Sequence, residues 1–159
     1  METELRFACT LDAPLSVVWE RAVAVSGAND ELWPLARMTF PLRLDSHTSP
    51  EQVVGRQFRT WMLALGFLPI DRRTMRIEVF EQGRFRERSR SLLQGRMCHE
   101  RTAVAVDESS TVLTDILVFE SRGRLADAVL RASVTATFRR RHRRLRHHFD
   151  NEGARRRSV

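Results

Sequence analysis

The chain begins with an alternation. In "ELRFACTL", Leu5, Phe7, Cys9 and Leu11 share one face and polar positions take the other, which predicts a strand with one buried side. "DAPLSVVWERAVA" changes the period and predicts a helix, with Asp12 a candidate N-cap, Pro14 in the first turn and Gly27 as its end. "NDELWPLA" reads as a second short helical piece interrupted by Pro34, and "RMTFPLRLD" alternates again, grouping Met38, Phe40, Leu42 and Leu44. From Gly55 to about Phe119 the pattern is strand after strand with short turns, including two Gln-Gly dipeptides, at 82–83 and 94–95. Such spacing indicates an antiparallel sheet of about six strands. After Gly123 one long helix is predicted over about 125–149. Its first half is apolar over most of its circumference and is expected to be surrounded; its second half keeps only a stripe of Phe138, Leu145 and Phe149. The fold class is therefore α+β, a single domain over residues 1–150, with a basic tail over 151–159 expected to be disordered.

Charge changes this picture little. The formal net charge is +7, and from Arg139 onward nine arginines face only Asp150 and Glu152, so the excess belongs to one helix end and the tail. "FRRRHRRLRHHF" (138–149) suggests a polyanion grip, yet its apolar stripe explains it as the wet side of a docked helix, with His142, His147 and His148 as surface histidines. All 27 basic residues are Arg, which fits a GC-rich genome better than any surface requirement. Cys9 and Cys98 form no CxxC pair and are expected to be reduced thiols in a cytoplasmic protein. The N-terminus lacks a secretory pattern, and the longest apolar run, "WMLALGFLPI" (61–70), is too short to span a bilayer. That run is expected to form a buried strand pair; the alternative is an apolar strand–loop tip where lipid or a partner would meet the protein. Trp19 and Trp33 are expected in the core or a pocket wall.

The chemistry-bearing residues cluster in the strand region. In "RFRERSRS" four arginines share one face, so Phe85, Glu87 and Ser89 should point to the concave side, where a buried carboxylate needs a cation or donors. His99 and Arg101 follow on the next strand and Asp115 on the one after. Register decides whether His99 joins them. A two-residue Gln94–Gly95 turn sets Glu87 against Thr102 and puts His99 outside with the arginines. An odd-length loop or a bulge pairs Glu87 with Arg101 or Ala103 and brings His99 inside. The sequence carries no GxSxG, HExxH, phosphate loop or four-ligand Cys/His set, so no metal or cofactor is expected.

"LDAPLSVVWERAV" resembles the first strand and helix of the START/Bet v 1-like (SRPBCC) helix-grip superfamily, in its branch of bacterial polyketide cyclase/dehydrase and lipid-transfer proteins. Phe85-x-Glu87, His99-x-Arg101 and Thr111-x-x-x-Asp115 stand where one bacterial branch carries F-x-D, H-x-H and T-x-x-x-D, with Glu87 and Arg101 as departures. The resemblance spans about residues 3–149. It implies a curved sheet gripping the C-terminal helix around an apolar cavity, places His99 inside, and fixes no reaction.

Three functions follow. The leading one is binding of a small hydrophobic or aromatic molecule of lipid, polyketide or isoprenoid type. Its expected contacts are Met38, Phe40, Phe85, Leu117, Phe119, Val129, Leu130, Ser133 and Thr137, with Glu87, Ser89, His99, Arg101 and Asp115 as the polar groups. The second is a cyclase or dehydratase-like enzyme using His99 with Glu87 or Asp115 as an acid–base set. The third is a polyanion-binding module built on the arginine-rich helix. Nucleic acid is disfavoured as a partner, transient membrane contact is compatible, and the chain is expected as a monomer or homodimer.

Overall fold

The computed structural model describes residues 2–41, 47–91, 95–121 and 123–157, with side chains after Asn151 outside the description. Strand β1 (Glu2–Leu11) leads into helices α1 (Leu15–Val23) and α2 (Val25–Leu32), then strand β2 (Ala36–Met38) and a single turn, α3 (Pro50–Val53). Strands β3 (Gln57–Ala64), β4 (Leu68–Glu81), β5 (Arg84–Ser91), β6 (Gly95–Ala105) and β7 (Thr111–Glu120) follow, and α4 (Arg124–Arg157) ends the chain. The strands form one antiparallel sheet in the order β1-β7-β6-β5-β4-β3-β2. The inward faces of the sheet, α1 and the second half of α4 share a core of Leu11, Val18, Trp19, Ile77, Leu113, Leu145 and Phe149. This is the helix-grip architecture that the sequence pattern and the resemblance imply.

The two Gln-Gly dipeptides turn differently. Glu81 pairs with Arg84, so Gln82–Gly83 is a two-residue hairpin turn, and Gly83 takes the positive φ of +81° that such a turn demands. Ser91 pairs with Gly95, which leaves three residues, 92–94, between the strands and sets Glu87 directly opposite His99. The odd spacing puts both side chains on the concave face. The exact partner differs from the sequence expectation of Arg101 or Ala103, while the face is the one an odd loop requires.

Several expectations are corrected. Gly27 does not end the first helix: α1 stops at Val23 and Gly27 lies inside α2. A Cβ there would stand 2.2 Å from the Arg21 carbonyl oxygen, so only glycine lets α2 pack this closely on α1. Helix α1 is flanked by Pro14 at its N-cap, and Asp12 caps nothing. The first half of α4 is the exposed one, with Leu125 at 80% and Val129 at 63%, while the second half buries Phe138, His142, Leu145 and Phe149. The backbone stays helical through Arg157, beyond the expected end at 149. Leu42 and Leu44 lie outside the described residues. The segment 61–70 is not a buried strand pair: Trp61, Leu65, Phe67, Leu68 and Ile70 are all exposed, as is Trp33.

Candidate functional site

Strand register aligns two inward rows. One runs Phe7, Asp115, Arg101, Phe85 across β1, β7, β6 and β5; the next runs Leu5, Leu117, His99, Glu87. Four of the five polar strand side chains named from sequence, Glu87, His99, Arg101 and Asp115, therefore stand on two neighbouring rows. All four are buried.

Asp115 is the hub. Its carboxylate accepts Nε and a terminal nitrogen of Arg101 at 2.8 and 3.0 Å, His99 Nε2 at 2.7 Å and His142 Nε2 at 2.7 Å. Burial would raise its pKa, but the Arg101 charge and the histidine hydrogen bonds prevail and hold it well below the usual carboxylate range. Arg101 also reaches Glu31 on α2, with guanidinium–carboxylate contacts of 3.3 and 3.1 Å, and Arg141 on α4 donates to the same carboxylate at 2.8 Å. Burial opposes ionisation of Glu31 too, and the two arginines overcome it, keeping its pKa below the ordinary value. One ionic network thus joins β6, β7, α2 and α4.

His99 sits between two carboxylates. Its Nε2 donates to Asp115, while Nδ1 faces Glu87 Oε1 at 3.8 Å, longer than a hydrogen bond. Burial would lower its pKa; Asp115 and Glu87 outweigh that and raise it. Phe138 and Phe85 meet the imidazole edge-on, at centroid distances of 5.3 and 6.3 Å. Glu87 is held below its usual range against burial by His99 and by Arg73, whose own terminal nitrogen donates to Ser89 at 3.3 Å.

Beside this cluster lies a cavity of about 140 Å³ between the sheet, α2 and α4. Its wall is mostly apolar, including Leu32, Met38, Phe40, Met62, Phe85 and Leu117. Its polar points are Arg73, Glu87, His99, Arg101 and Arg141, with Ser133 and Thr137 at the α4 side. Of the residues expected from sequence, Met38, Phe40, Phe85, Glu87, His99, Arg101, Leu117, Ser133 and Thr137 line it. Five do not. Asp115 lies behind His99 and Arg101; Ser89 binds Arg73; Phe119 is buried in a second core with Met97 and Phe138, against which Leu130 packs. Val129 points to solvent, on the side of α4 away from Asp127, which Thr3 of β1 holds at 2.8 Å.

Sequence reasoning missed four members of the network. His142 is not a surface histidine: it is 5% exposed and occupies a place in the apolar stripe Phe138, Leu145, Phe149. That helical spacing was the signal for it. Glu31 shares a face of α2 with Gly27 and Leu32, and Arg141 follows Phe138 by one turn; neither position is marked by local pattern. Arg73 points inward from the alternation of β4, a position the arginine-rich context hides.

A curved antiparallel sheet closed by a long helix over an apolar cavity with a buried polar end defines the fold class: the chain has a helix-grip fold of the SRPBCC, Bet v 1-like kind. Within that class the chain belongs to the family described as a domain of unknown function (DUF8410), whose model matches residues 9–149. Among solved structures it is similar to the ZhuI aromatase/cyclase from Streptomyces sp. R1128, with a TM-score of 0.71 and 17% identity over 94% of each chain. It is also similar to protein CV1439 from Chromobacterium violaceum, with a TM-score of 0.67 and 17% identity over 92% of this chain and 97% of that one. The resemblance extends to Ara h 8.0201, with a TM-score of 0.59 and 9% identity over 91% and 98% of the two chains. No curated protein matches the chain.

Proposed function

We propose that the protein binds a small, uncharged, ring-bearing apolar molecule carrying a hydroxyl or carbonyl group. The ring occupies the cavity and the polar substituent meets Glu87 and His99. The observation that carries this reading is the mostly apolar cavity of about 140 Å³ whose lining includes these two side chains. An apolar cavity of about 150 Å³ takes up benzene. The enclosed volume therefore suits one ring, and a longer polyketide, isoprenoid or acyl ligand would extend through the mouth beside Ser133. Charge supports an uncharged ligand. The buried carboxylates of the site, Glu31, Glu87 and Asp115, already face arginine or histidine side chains of the protein itself. An ionic ligand would upset that pairing in a low-dielectric site.

A second reading is favoured by the His99–Asp115 hydrogen bond: acid–base catalysis of cyclase or dehydratase type, the ZhuI neighbour being named an aromatase/cyclase. Against it, Asp115 and Glu87 raise the pKa of His99 and so favour its protonated form, and Glu87, with its pKa lowered, is a weak base. Binding without turnover is the better account.

Thermal denaturation with a panel of phenols and aryl ketones tests it. Binding raises Tm for at least one compound, and Thr137→Trp at the mouth removes the shift while the unliganded Tm holds. No shift across the panel, or an undiminished shift in T137W, contradicts the reading.

A further inference from the structure

The antiparallel topology puts the start of β4 and the ends of β3 and β5 at the same end of the sheet as the start of α4. The cavity reaches this end, where Met62, Arg73, Met97 and Ser133 line it and Ser133 is its exposed member. The β3–β4 hairpin at this end is capped by apolar side chains that nothing covers: Leu65 at 57%, Phe67 at 73%, Leu68 at 53% and Ile70 at 46% exposure. Trp33 joins them, because its ring lies against Gly66 at the hairpin tip, and Leu35 accepts a hydrogen bond from the Leu65 amide at 3.0 Å. On the far side of the mouth Leu125 and Val129 are equally bare. A contiguous apolar surface of this kind marks a docking face.

The convex face behind the tip identifies what docks. Its cross-strand row runs Arg59, Thr74, Arg90, Arg96, and the next residues toward the tip are Trp61 and Arg72, which pair with each other. Like charges directly opposite one another, as at Arg90 and Arg96, are unfavourable without an external counter-charge. Of the acids of this face, Glu78 and Glu100 lie farther from the tip and take Arg84, Arg86 and Arg88, while Glu120, across from Arg96, and Glu2 stand at the β7–β1 side, away from the hairpin. Among the described residues, Arg59, Arg72, Arg90 and Arg96 form no ion pair, and all four are exposed. Apolar side chains at the tip, tryptophans just behind them and an arginine band behind those reproduce the order of a membrane interface: acyl chain, headgroup boundary, anionic surface. Nucleic acid would satisfy the arginines but not Leu65, Leu68 and Ile70.

We propose that this end of the molecule docks on an anionic lipid bilayer, with the β3–β4 hairpin inserted and the cavity mouth facing the membrane. Docking stands on the surface alone. It is independent of what fills the cavity.

Co-flotation of the full chain with vesicles of phosphatidylcholine alone, or mixed with phosphatidylglycerol, tests the proposal. The protein is expected to float with the mixed vesicles at low salt and to be released as salt rises. Emission from Trp33 and Trp61 should shift to the blue on binding. Phe67→Asp, at a position too exposed to support the fold, should weaken binding at least tenfold. Arg72→Gln, Arg90→Gln and Arg96→Gln should each cost about fivefold. Absence of flotation with mixed vesicles, or full flotation by F67D, overturns the proposal. Self-association that Phe67→Asp relieves, or binding to duplex DNA, without vesicle binding would overturn it in favour of a second copy or a nucleic acid. Ligand uptake from solution by F67D should equal that of the parent, so failure of docking leaves the cavity reading standing.

Discussion

Asp115 ties β6 and α4 to β7 through one side chain. Four donors from three residues converge on this fully buried carboxylate, and without it only Arg101 keeps another anionic partner within hydrogen-bond distance, Glu31. Breaking a buried ion pair by removing one partner costs about 3–5 kcal/mol, because the surviving charge stays desolvated. Asp115→Ala is therefore expected to lower unfolding free energy by about that amount, measured by urea titration, and Arg101→Met by at least as much, because it leaves two buried carboxylates, Asp115 and Glu31, without their shared cation. The same cluster sets the pH profile. The folded pKa of His99 is raised above 6.5, so its contribution is complete below 6.5 and is lost as pH rises through the raised value. Glu31 and Glu87 fall below 4.5 and Asp115 below 3.8, so theirs is complete above those values and lost as pH falls through the lowered ones. Stability should peak between the two windows, and His99→Gln should abolish the alkaline decline alone. Glu87 was readable from strand alternation and His99 only once the register was known, whereas Glu31 and Arg141 were not readable. A charged residue in a helix announces burial only when its tertiary partner is known.

At the scale of elements, register and close approach decided what the pattern left open. One Gln-Gly dipeptide makes a two-residue turn and the other precedes a strand, with three residues intervening, and that single difference turns His99 inward. Local sequence holds no preference strong enough to separate the two. Gly27 shows the same limit: it looks like a helix end, yet its role is to let two helices touch. Because α2 carries Ala28, Leu32 and Glu31 to the cavity and its network, Gly27→Ala should displace a cavity wall as well as destabilise. The expected result is a lower urea midpoint together with weaker ligand binding; a wild-type midpoint would contradict the packing argument. The long helix was legible in its second half, where a narrow stripe must be buried, and misread in its first. Apolar character there reflects an exposed rim rather than an enclosed core.

At the scale of the molecule, the order of elements carried the fold: a strand, short helices, closely spaced antiparallel strands and a long helix admit few arrangements. The cavity followed from the same order, since a sheet curled around a helix leaves space where the helix lifts away. The exposed hairpin did not follow, because an apolar run of ten residues has the same pattern in a core as at a tip. The central claim is that the cavity selects a ring with a polar substituent through Glu87. Calorimetric titration with phenol and with toluene, in the parent and in Glu87→Gln, tests it most directly. A hydrogen bond to a carboxylate is worth about 1.5–3 kcal/mol, so phenol should bind the parent at least tenfold more tightly than toluene, and E87Q should lose most of that preference while still binding toluene. Equal affinity for the two compounds in the parent, or an unchanged preference in E87Q, would contradict the account.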